Sequence, residues 1–369
     1  MQNVAQAWLV YRLTHSELLL GTAAFLSHIS TLLLGPFAGV VADRFERRRI
    51  VVICQSLFFL QALTLAILTI LGKVTVTHVL TLAAFQGIVD AFDRPARQAM
   101  LIQLASREHL HNAISLNSLM YNTARVVGPS MGGMMVAAFG EGPCFALNAA
   151  SFLAVIGGLL LVKIEREEPN RTAGAMSHLA EGFRYVQRNP ATSSPLLLVA
   201  LVNLATAPVW ALLPVFADAI FHKGSEGVGF LTASMGLGAV LGMLHLASLT
   251  TADGLHRVAF WNALILAVAL IGFAWSTIYM VSSVLMALLG ASVMRVNGAT
   301  NTEIQTQVPE DMRGRIMGFF AAANVGVIPI GSLGGGMMAQ AVGVRWTVFA
   351  GGMICLLAAL LFQSRRGTT

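Results

Sequence analysis

The sequence predicts an all-α integral membrane protein built from two related bundles of helices. Three observations predict this fold class: the composition, a series of long apolar segments, and a repeat that relates the two halves of the chain. Of the 369 residues, 56% are hydrophobic and 11% are charged, whereas an ordinary soluble domain has about a quarter of its residues charged. The composition therefore indicates a chain immersed in lipid.

Eleven segments are long and apolar enough to cross a bilayer, which needs about 20 apolar residues as helix. In chain order we predict spans at residues 18–42, 50–72, 74–92, 111–138, 143–162, 195–217, 227–248, 258–277, 280–302, 316–340 and 346–362. Residues 1–11 are apolar but would cover only about 16 Å as helix. We expect them to be the end of a twelfth, incomplete span and not a signal peptide, because they have no basic start and no small-residue cleavage site.

One long polar segment divides the chain into two halves. We predict an N-terminal bundle of helices 1–6 over residues 1–162, a linker over residues 163–194, and a C-terminal bundle of helices 7–12 over residues 195–369. Leu179, Phe183 and Val186 of the linker fall on one helical face, which predicts an amphipathic helix on the cytoplasmic membrane surface.

A short repeat relates the two bundles. GGMMVAAFG at residues 132–140 returns as GGMMAQAVG at residues 335–343, identical at six of nine positions and displaced by 203 residues. The same displacement relates two further pairs of glycines, Gly35 with Gly238 and Gly39 with Gly242. Six spans separate equivalent helices, so both copies cross in the same direction, as in transporters built from parallel six-helix halves. The alternative is chance agreement between glycine-rich apolar segments.

The basic residues fall mainly on one side of the predicted membrane. When the loops are assigned alternately to the two sides, eighteen Lys and Arg lie on one side and four on the other, with Arg125 inside a span. The positive-inside rule places the richer side, and with it the C-terminus, in the cytoplasm. The positive charge is thus explained by topology, and we expect the lipid bilayer and not a nucleic acid as its partner.

The sequence contains no pattern typical of an enzyme. It has no nucleophile elbow, phosphate loop or metal-ligand spacing, and Cys54, Cys144 and Cys355 lie singly in three predicted spans. We expect these cysteines to be small buried apolar side chains. The sequence therefore predicts no enzymatic activity, no cofactor and no metal site.

The stretch GVVADRFERRR, residues 39–49, places six charged side chains in seven positions directly after a span without charge. Arginines alone could anchor that span to anionic lipid headgroups, but such an anchor does not need Asp43. A carboxylate at this place can contact an arginine or the N-terminus of a neighbouring helix, and Gly39 would let that helix approach closely.

This pattern, G-x-x-x-D-R-x-x-R-R-R, resembles the loop between helices two and three of the major facilitator superfamily. The resemblance implies the major facilitator fold and a cytoplasmic gate that stabilises the outward-open state by contacts with the second half. The residues that match the gate are Gly39, Asp43, Arg44, Arg47 and Arg48. Glu46 stands where the family usually has glycine, so we expect a differently built turn.

Four further stretches resemble the exporter branch of that superfamily which includes the enterobactin exporter and macrolide efflux proteins. They are DRPARQ at residues 93–98, NAISLNS at 112–118, ARVVGPSMGG at 124–133 and NTEIQTQVPEDMRGRIMG at 301–318. The resemblance assigns Asp93 and Arg97 to the gate, although a solvated helix end is the alternative. Arg313 and Arg315 are expected to close the same face from the second half, unless they only reflect the positive-inside bias.

The GPSMGG stretch is similar to the antiporter motif of drug and metabolite exporters. Pro129 removes a backbone donor and bends the helix, while Gly128, Gly132 and Gly133 permit tight packing against another span. Ordinary helix packing by small residues is the alternative to an antiporter role.

Arg125 lies inside a predicted span, where an ionised group costs about 2.5–3.5 kcal/mol or more. It therefore needs a partner, and Asp90 and Asp93 are the nearest acids in the sequence. An anionic substrate or a cavity water are the alternatives. The further candidates for contacts with substrate or protons are the polar and aromatic residues Asn122, Asn203, Trp210 and Asn297, each of which could instead make a helix-to-helix contact.

These observations predict a secondary transporter of a bacterial inner membrane that works by alternating access. We expect a monomer that exports an amphipathic small molecule, either a siderophore-like metabolite or a hydrophobic drug, driven by protons. An importer of the same fold and a membrane scaffold or sensor without transport activity are the alternatives.

Overall fold

The computed structural model describes residues 1–104, 110–161, 183–249 and 254–364. Every regular element of this part is helical. In chain order the helices are α1 (Gln2–Thr14), α2 (Glu17–Arg44), α3 (Arg47–Ile70), α4 (Val76–Leu104), α5 (Leu110–Phe139), α6 (Glu141–Leu161), α7 (Pro190–Val215), α8 (Gly224–Ala247), α9 (Leu255–Trp275), α10 (Tyr279–Gln307), α11 (Glu310–Ala321), α12 (Ile328–Val342) and α13 (Val344–Ser364).

Each of the eleven predicted spans lies on these helices, with α11 and α12 sharing one span. In the described part, nine helical stretches are long and apolar enough to cross a membrane. Helices α4 and α5 have 29 and 30 residues but carry more polar side chains. Helix α1 has 13 residues. The all-α membrane fold predicted from the sequence is confirmed.

The predicted amphipathic linker helix is described only at its end. Residues 183–188 are helical, and Phe183 contacts the ring of Phe319 in α11, with 6.3 Å between the centroids. Leu179, which was expected on the same face, lies outside the described residues.

Very short connections make consecutive helices antiparallel and define two ends of the molecule. We call the end with the α2–α3 turn at Phe45 and Glu46 the basic end. The opposite end, with the α1–α2 turn at His15 and Ser16, we call the glycine end. Both Phe45 and Glu46 have negative φ angles, −114° and −58°, so the turn needs no glycine, which explains why Glu46 fits there.

Local sequence determines where several helices begin and end. Ser16 accepts a hydrogen bond from the Leu19 N–H at 3.4 Å and so caps the start of α2. The side chain of Asn189 caps α7 in the same way through the Ala191 N–H, at 3.1 Å, and Pro190 follows at the first helical position. Gly140, with φ +83°, makes the sharp turn between α5 and α6.

Two π segments interrupt the α-helical pattern. Residues Phe216–Ile220 extend α7, and residues Ala322–Gly326 connect α11 to α12. Such one-turn π segments insert one extra residue into a helix and frequently occur at functional sites. The hydropathy pattern did not predict either of them, because a π segment leaves the apolar character of a span unchanged.

Close backbone packing holds helices together within each half. A Cβ placed on Gly87 of α4 would lie 2.7 Å from the Ser27 carbonyl oxygen of α2. In the C-terminal half, Gly238 and Gly242 of α8 meet the backbone of α10 in the same manner. The largest buried cluster lies in the C-terminal half and includes Phe216 and Phe273.

Arg295, which is one of the eighteen basic residues counted on the richer side although it falls within the predicted span 280–302, lies inside helix α10. Its Nη1 donates to Asn262 Oδ1 of α9 at 3.4 Å. The charge count for the loops therefore includes one arginine that bonds within the helical bundle.

Candidate functional site between the two halves

The first contact between the halves is a crossing of α2 and α12 at the glycine end. A Cβ built on Gly21 would lie 2.5 Å from the Ser332 carbonyl oxygen and 2.9 Å from Gly336 Cα. A Cβ on Gly336 would lie 2.7 Å from the Glu17 carbonyl oxygen. Because ordinary carbon contacts are about 3.5–4.0 Å, only glycine permits this approach of the two backbones.

The second contact is a crossing of α5 and α8 at the same end. A Cβ on Gly133 would lie 2.7 Å from the Ser225 carbonyl oxygen and 2.8 Å from Gly229 Cα. The Ser225 hydroxyl also donates to the Gly133 carbonyl oxygen at 3.4 Å. Gly133 and Gly336 are 203 residues apart, so the repeated GGMM stretch supplies one glycine to each of the two crossings.

Side chains add to the contact between the halves at the glycine end. The Tyr11 hydroxyl of α1 donates to Asp218 Oδ2, in the π segment that follows α7, at 3.3 Å. The Trp8 ring comes within 3.8 Å of the position that a Cβ on Gly224 would occupy. Helix α1 thus joins α7 and α8 at this end.

The glycines at the basic end have different surroundings. A Cβ placed on Gly35, Gly39, Gly314 or Gly318 would meet no atom of the described residues within 4 Å. The close approach of a neighbour that was expected at Gly39 is therefore not what this structure shows. The backbones of the two halves meet at the glycine end, and space remains beside these glycines of α2 and α11.

The predicted gate arginines after α2 lie at the surface of the basic end. Arg44 is exposed, and Arg48 Nη2 donates to the Leu160 carbonyl oxygen at the end of α6, at 2.8 Å. Arg47 is half-buried. The side chain of Asp43 lies outside the described part of the structure. The contact of Arg48 is thus with its own half of the molecule.

The two predicted gate arginines of the second half lie on α11. Arg313 is exposed, and Arg315 Nη1 donates to Met312 Sδ at 3.2 Å. Both are at the basic end, as the sequence predicted, and the bond from Arg315 to Met312 lies within α11.

The two carboxylates of α4 have arginine partners one turn further along the same helix. Asp93 is 3% exposed and accepts hydrogen bonds from Arg97 at 2.6 and 3.1 Å and from Gln55 Nε2 of α3 at 3.0 Å. Asp90 pairs with Arg94 at 2.6 Å. Asp93 thereby ties α3 to α4, and both acids that were considered as partners for Arg125 have an arginine partner on their own helix.

The antiporter-like stretch lies on the face of α5 where other helices come closest. A Cβ on Gly229 of α8 would lie 2.8 Å from the Pro129 carbonyl oxygen. On another side of α5, a Cβ on Gly132 would lie 2.9 Å from Met1 Cα, and a Cβ on Gly128 would lie 3.6 Å from the Met1 nitrogen. Pro129, Gly132 and Gly133 therefore lie at close contacts of α5, and Gly128 lies at an ordinary one.

The structure brings together two of the predicted polar candidates. Asn203 of α7 is 6% exposed, and its Nδ2 donates to Asn297 Oδ1 of α10 at 3.1 Å. Trp210 packs against the large buried cluster of the C-terminal half. The side chains of Asn122 and Arg125 lie outside the described part of the structure.

A cluster of amide side chains in the N-terminal half was missed by the sequence analysis. Gln2 Nε2 donates to Gln61 Oε1 at 2.7 Å and to Gln86 Oε1 at 3.2 Å, and Asn148 Nδ2 donates to Gln2 Oε1. It links α1, α3, α4 and α6. Its members are up to 146 residues apart in the chain, so the only signal was one isolated amide in each of several apolar segments.

The chain is similar over nearly its whole length to known transporters. The profile of the transmembrane secretion effector family matches residues 1–366. The staphyloferrin A transporter of Staphylococcus aureus is 23% identical over 363 residues, which cover 97% of this chain and 91% of that protein. The enterobactin exporter EntS of Escherichia coli is 27% identical over 355 residues, which cover 95% of this chain and 84% of that protein.

Two solved structures share the fold. A bacterial homologue of the human lysosomal transporter Spinster, in an inward-facing and unoccupied conformation, matches with a TM-score of 0.75 at 16% identity and covers 99% of this chain and 92% of its own. The nucleoside transporter NupG matches with a TM-score of 0.77 at 12% identity and covers 99% and 94%.

Proposed function

Because the chain belongs to the transmembrane secretion effector family and has the major facilitator fold of the transporters that it resembles, we propose that it is a proton-coupled exporter of an amphipathic small molecule. The transport cycle alternates between two states in which the two halves meet at opposite ends.

The contact between the halves at one end is the observation that supports this proposal most directly. Gly21 meets Gly336 and Gly133 meets Gly229 at the glycine end. At the basic end, no atom in the described part of the chain lies within 4 Å of a Cβ placed on Gly35 or Gly318. This is the arrangement expected of a state that is closed at one mouth and open at the other.

The direction of export follows from the proposed orientation in the membrane. The excess of basic residues favours the basic end as the cytoplasmic end. The state described here is then open to the cytoplasm, where an exporter takes up its substrate. In the opposite state, the loop with Asp43, Arg44, Arg47 and Arg48 contacts the second half and closes the cytoplasmic mouth.

The substrate class is inferred from the names of two relatives. Two relatives carry siderophore names, the staphyloferrin A transporter and the enterobactin exporter. We therefore propose a siderophore-like metabolite as the substrate and a hydrophobic drug as its nearest alternative. A proton that enters through 100 mV supplies about 2.3 kcal/mol, before any contribution from a pH gradient.

The proposal is tested by transport in oriented proteoliposomes that contain the full chain. Enterobactin as the catecholate probe, or ethidium as the drug probe, should leave the compartment that faces the basic end when a proton gradient is applied. Transport of neither probe, or proton-driven accumulation on the basic-end side, would contradict export of this substrate class.

A pair of variants in the loop after α2 tests the gate. Asp43→Asn removes the carboxylate of the gate motif, and Glu46→Gln removes an exposed carboxylate three residues away. We expect Asp43→Asn to reduce export strongly and Glu46→Gln to leave it near the wild-type rate, at equal amounts of inserted protein. Equal rates for both variants would refute a gate role for Asp43.

A further inference from the structure

We propose that His28 of α2, together with Asp90 and Arg94 of α4, is the proton-binding site that couples the proton gradient to the movement of the halves. This inference rests on the proton-coupled export proposed above and assigns a residue to it. His28 lies in a span that the sequence predicted as free of charged residues.

The position of His28 is determined by the close crossing of α2 and α4. A Cβ on Gly87 of α4 would lie 2.8 Å from the Leu26 carbonyl oxygen and 2.7 Å from that of Ser27. His28 follows directly on α2, and Asp90 is one turn beyond Gly87 on α4. His28 is about 16 Å along α2 from the glycine end, which is near the midpoint of a bilayer core of about 30 Å.

The ring of His28 has one nitrogen engaged with its own helix. Its Nδ1 is 3.0 Å from the Ala24 carbonyl oxygen, so an N–H at Nδ1 can donate to that oxygen. The lone pair then lies on Nε2, the nitrogen that can take up a proton. The crossing at Gly87 brings the segment of α2 that carries His28 close to the turn of α4 that carries Asp90 and Arg94, so that their charges can act on the ring. Imidazole is the side chain that ordinarily changes charge near neutral pH.

Few other charges face this part of α2. The helices and segments packed against it are α1, α3, α4, α7, α12 and the π segment Ala322–Gly326. Of these, α7, α12 and the π segment contain no Asp, Glu, His, Lys or Arg. Apart from Asp90 and Arg94, most ionisable residues of the others lie at the two ends. They are Tyr11 and Arg12 on α1, Arg47, Arg48, Arg49 and Cys54 on α3, His78, Asp93 and Arg97 on α4, and Glu17, Asp43 and Arg44 on α2 itself.

Proton binding would redistribute the contacts of Asp90. In the structure Asp90 is paired with Arg94, whose side chain is 49% exposed. A proton taken from water at Nε2 makes the ring cationic, and Asp90 is then attracted to α2 as well as to Arg94. Because α2 also crosses α12 at Gly21 and Gly336, a shift of α2 relative to α4 reaches the contact between the halves.

His28 is better placed for this role than the buried carboxylates Asp93 and Glu303. Asp93 already accepts hydrogen bonds on both oxygens, from Gln55 and from Arg97. Glu303 is 3.8 Å from His256, but the two lie on α10 and α9 within the C-terminal half. His28 is on α2, a helix that packs against the other half.

The assignment is tested by measuring the conformation of the full chain as a function of pH. Spin labels at Lys73→Cys and Gln340→Cys, both exposed at the glycine end, report the separation of the halves in lipid nanodiscs. We expect the wild-type distance distribution to change as the pH falls through the range in which imidazole takes up a proton. His28→Gln should abolish the change, and His28→Lys should keep the low-pH distribution at every pH.

A matched control uses another histidine. His78→Gln alters an exposed ring on α4 that bonds to Thr75 near the glycine end, and it should leave the pH response unchanged. A response in His28→Gln equal to that of the wild type would overturn the assignment. If His28→Gln does not insert, Asp90→Asn serves as the second variant and should shift the midpoint by about one pH unit, and an unchanged midpoint overturns the assignment.

Transport of enterobactin and ethidium with a pH-sensitive dye separates this inference from the proposed function. Export accompanied by the same proton movement in the wild type and in His28→Gln would overturn the role of His28 and leave proton-coupled export standing. Export without proton movement in the wild type would overturn the coupling itself and the site with it. The expected result is proton movement in the wild type and at least a tenfold loss of it in His28→Gln.

Discussion

Replacing Gly133 by alanine should weaken the closed glycine end. The added Cβ would lie 2.7 Å from the Ser225 carbonyl oxygen and 2.8 Å from Gly229 Cα, compared with about 3.5–4.0 Å for an ordinary contact. Both neighbours are backbone atoms and cannot rotate away, so α5 and α8 must move apart by about 0.7 Å or more. Gly133→Ala should therefore destabilise the state in which the two halves are in contact at the glycine end.

The size of the effect follows from the cost of overpacking. One extra methyl group in a closely packed site typically costs about 1–3 kcal/mol. If this cost falls only on the state that is closed at the glycine end, the equilibrium moves about 5- to 150-fold toward the state that is open there. Alanine also favours the helix by about 0.5–1 kcal/mol relative to glycine, but this gain applies to both states.

The shift can be measured at the other crossing. Ser332 of α12 is 1% exposed, and Ser332→Cys places a thiol there with little change in volume. The native cysteines Cys54, Cys144 and Cys355 are buried, so their own reaction with a thiol reagent should be slow. A membrane-impermeant maleimide should alkylate Ser332→Cys faster in the presence of Gly133→Ala, and this reports opening at a distance from the substitution.

Gly318→Ala is the matched control, because its Cβ would meet no atom within 4 Å among the residues that the structure describes. It has the same gain in helix propensity and should leave the alkylation rate near the wild-type value. The reasoning is refuted if Gly133→Ala does not accelerate the reaction, or if Gly318→Ala accelerates it equally.

Three smaller perturbations follow from the hydrogen bonds of the structure. Tyr11→Phe removes the hydroxyl that donates to Asp218 between the halves. The rate of alkylation of Ser332→Cys at the glycine end should then rise by about 3-fold, the equivalent of about 0.6 kcal/mol. An unchanged rate would show that the bond is dispensable. Arg97→Gln leaves the buried Asp93 without its cationic partner, and thermal unfolding in detergent should show a loss of about 1–3 kcal/mol; an unaltered unfolding temperature would contradict this pairing. Asn203→Leu removes the hydrogen bond between α7 and α10 and should lower the free energy of unfolding by about 0.6–1.7 kcal/mol. The ratio of enterobactin to ethidium transport should stay the same. A changed ratio would indicate that Asn203 contacts the substrate.

The spans could be predicted from the sequence because bilayer thickness alone requires long apolar segments. Every predicted span falls on a helix of the structure, and the repeated GGMM stretch does mark close packing, since Gly133 and Gly336 each lie at a crossing. These features depend on local composition or on a backbone without side chains. Both are visible in the chain itself.

The partners of individual residues could not be predicted in the same way. Gly39 looked like a site of close approach, yet the structure leaves space beside it, because what a glycine meets depends on which end of the molecule is closed. Arg295 was counted in a loop and is bonded to Asn262 in a neighbouring helix. Its exposure depends on helix orientation, which hydropathy does not report.

Long-range polar contacts were also beyond the sequence. Asp93 was assigned to the gate, but its bonds to Gln55 and Arg97 depend on the packing of α3 against α4. His28 is one histidine in an apolar segment, and nothing in that segment indicates its neighbours. The crossing of α2 and α4 at Gly87 brings the segment with His28 close to Asp90 and Arg94.

The most direct test of the account compares thiol accessibility at both ends of one protein during transport. Ser332→Cys reports the glycine end and Gly318→Cys reports the basic end, each in a separate sample of proteoliposomes. When a proton gradient and enterobactin are supplied, we predict faster alkylation at the glycine end and slower alkylation at the basic end. Constant rates at both ends, or rates that rise together, would contradict alternating access between the two halves.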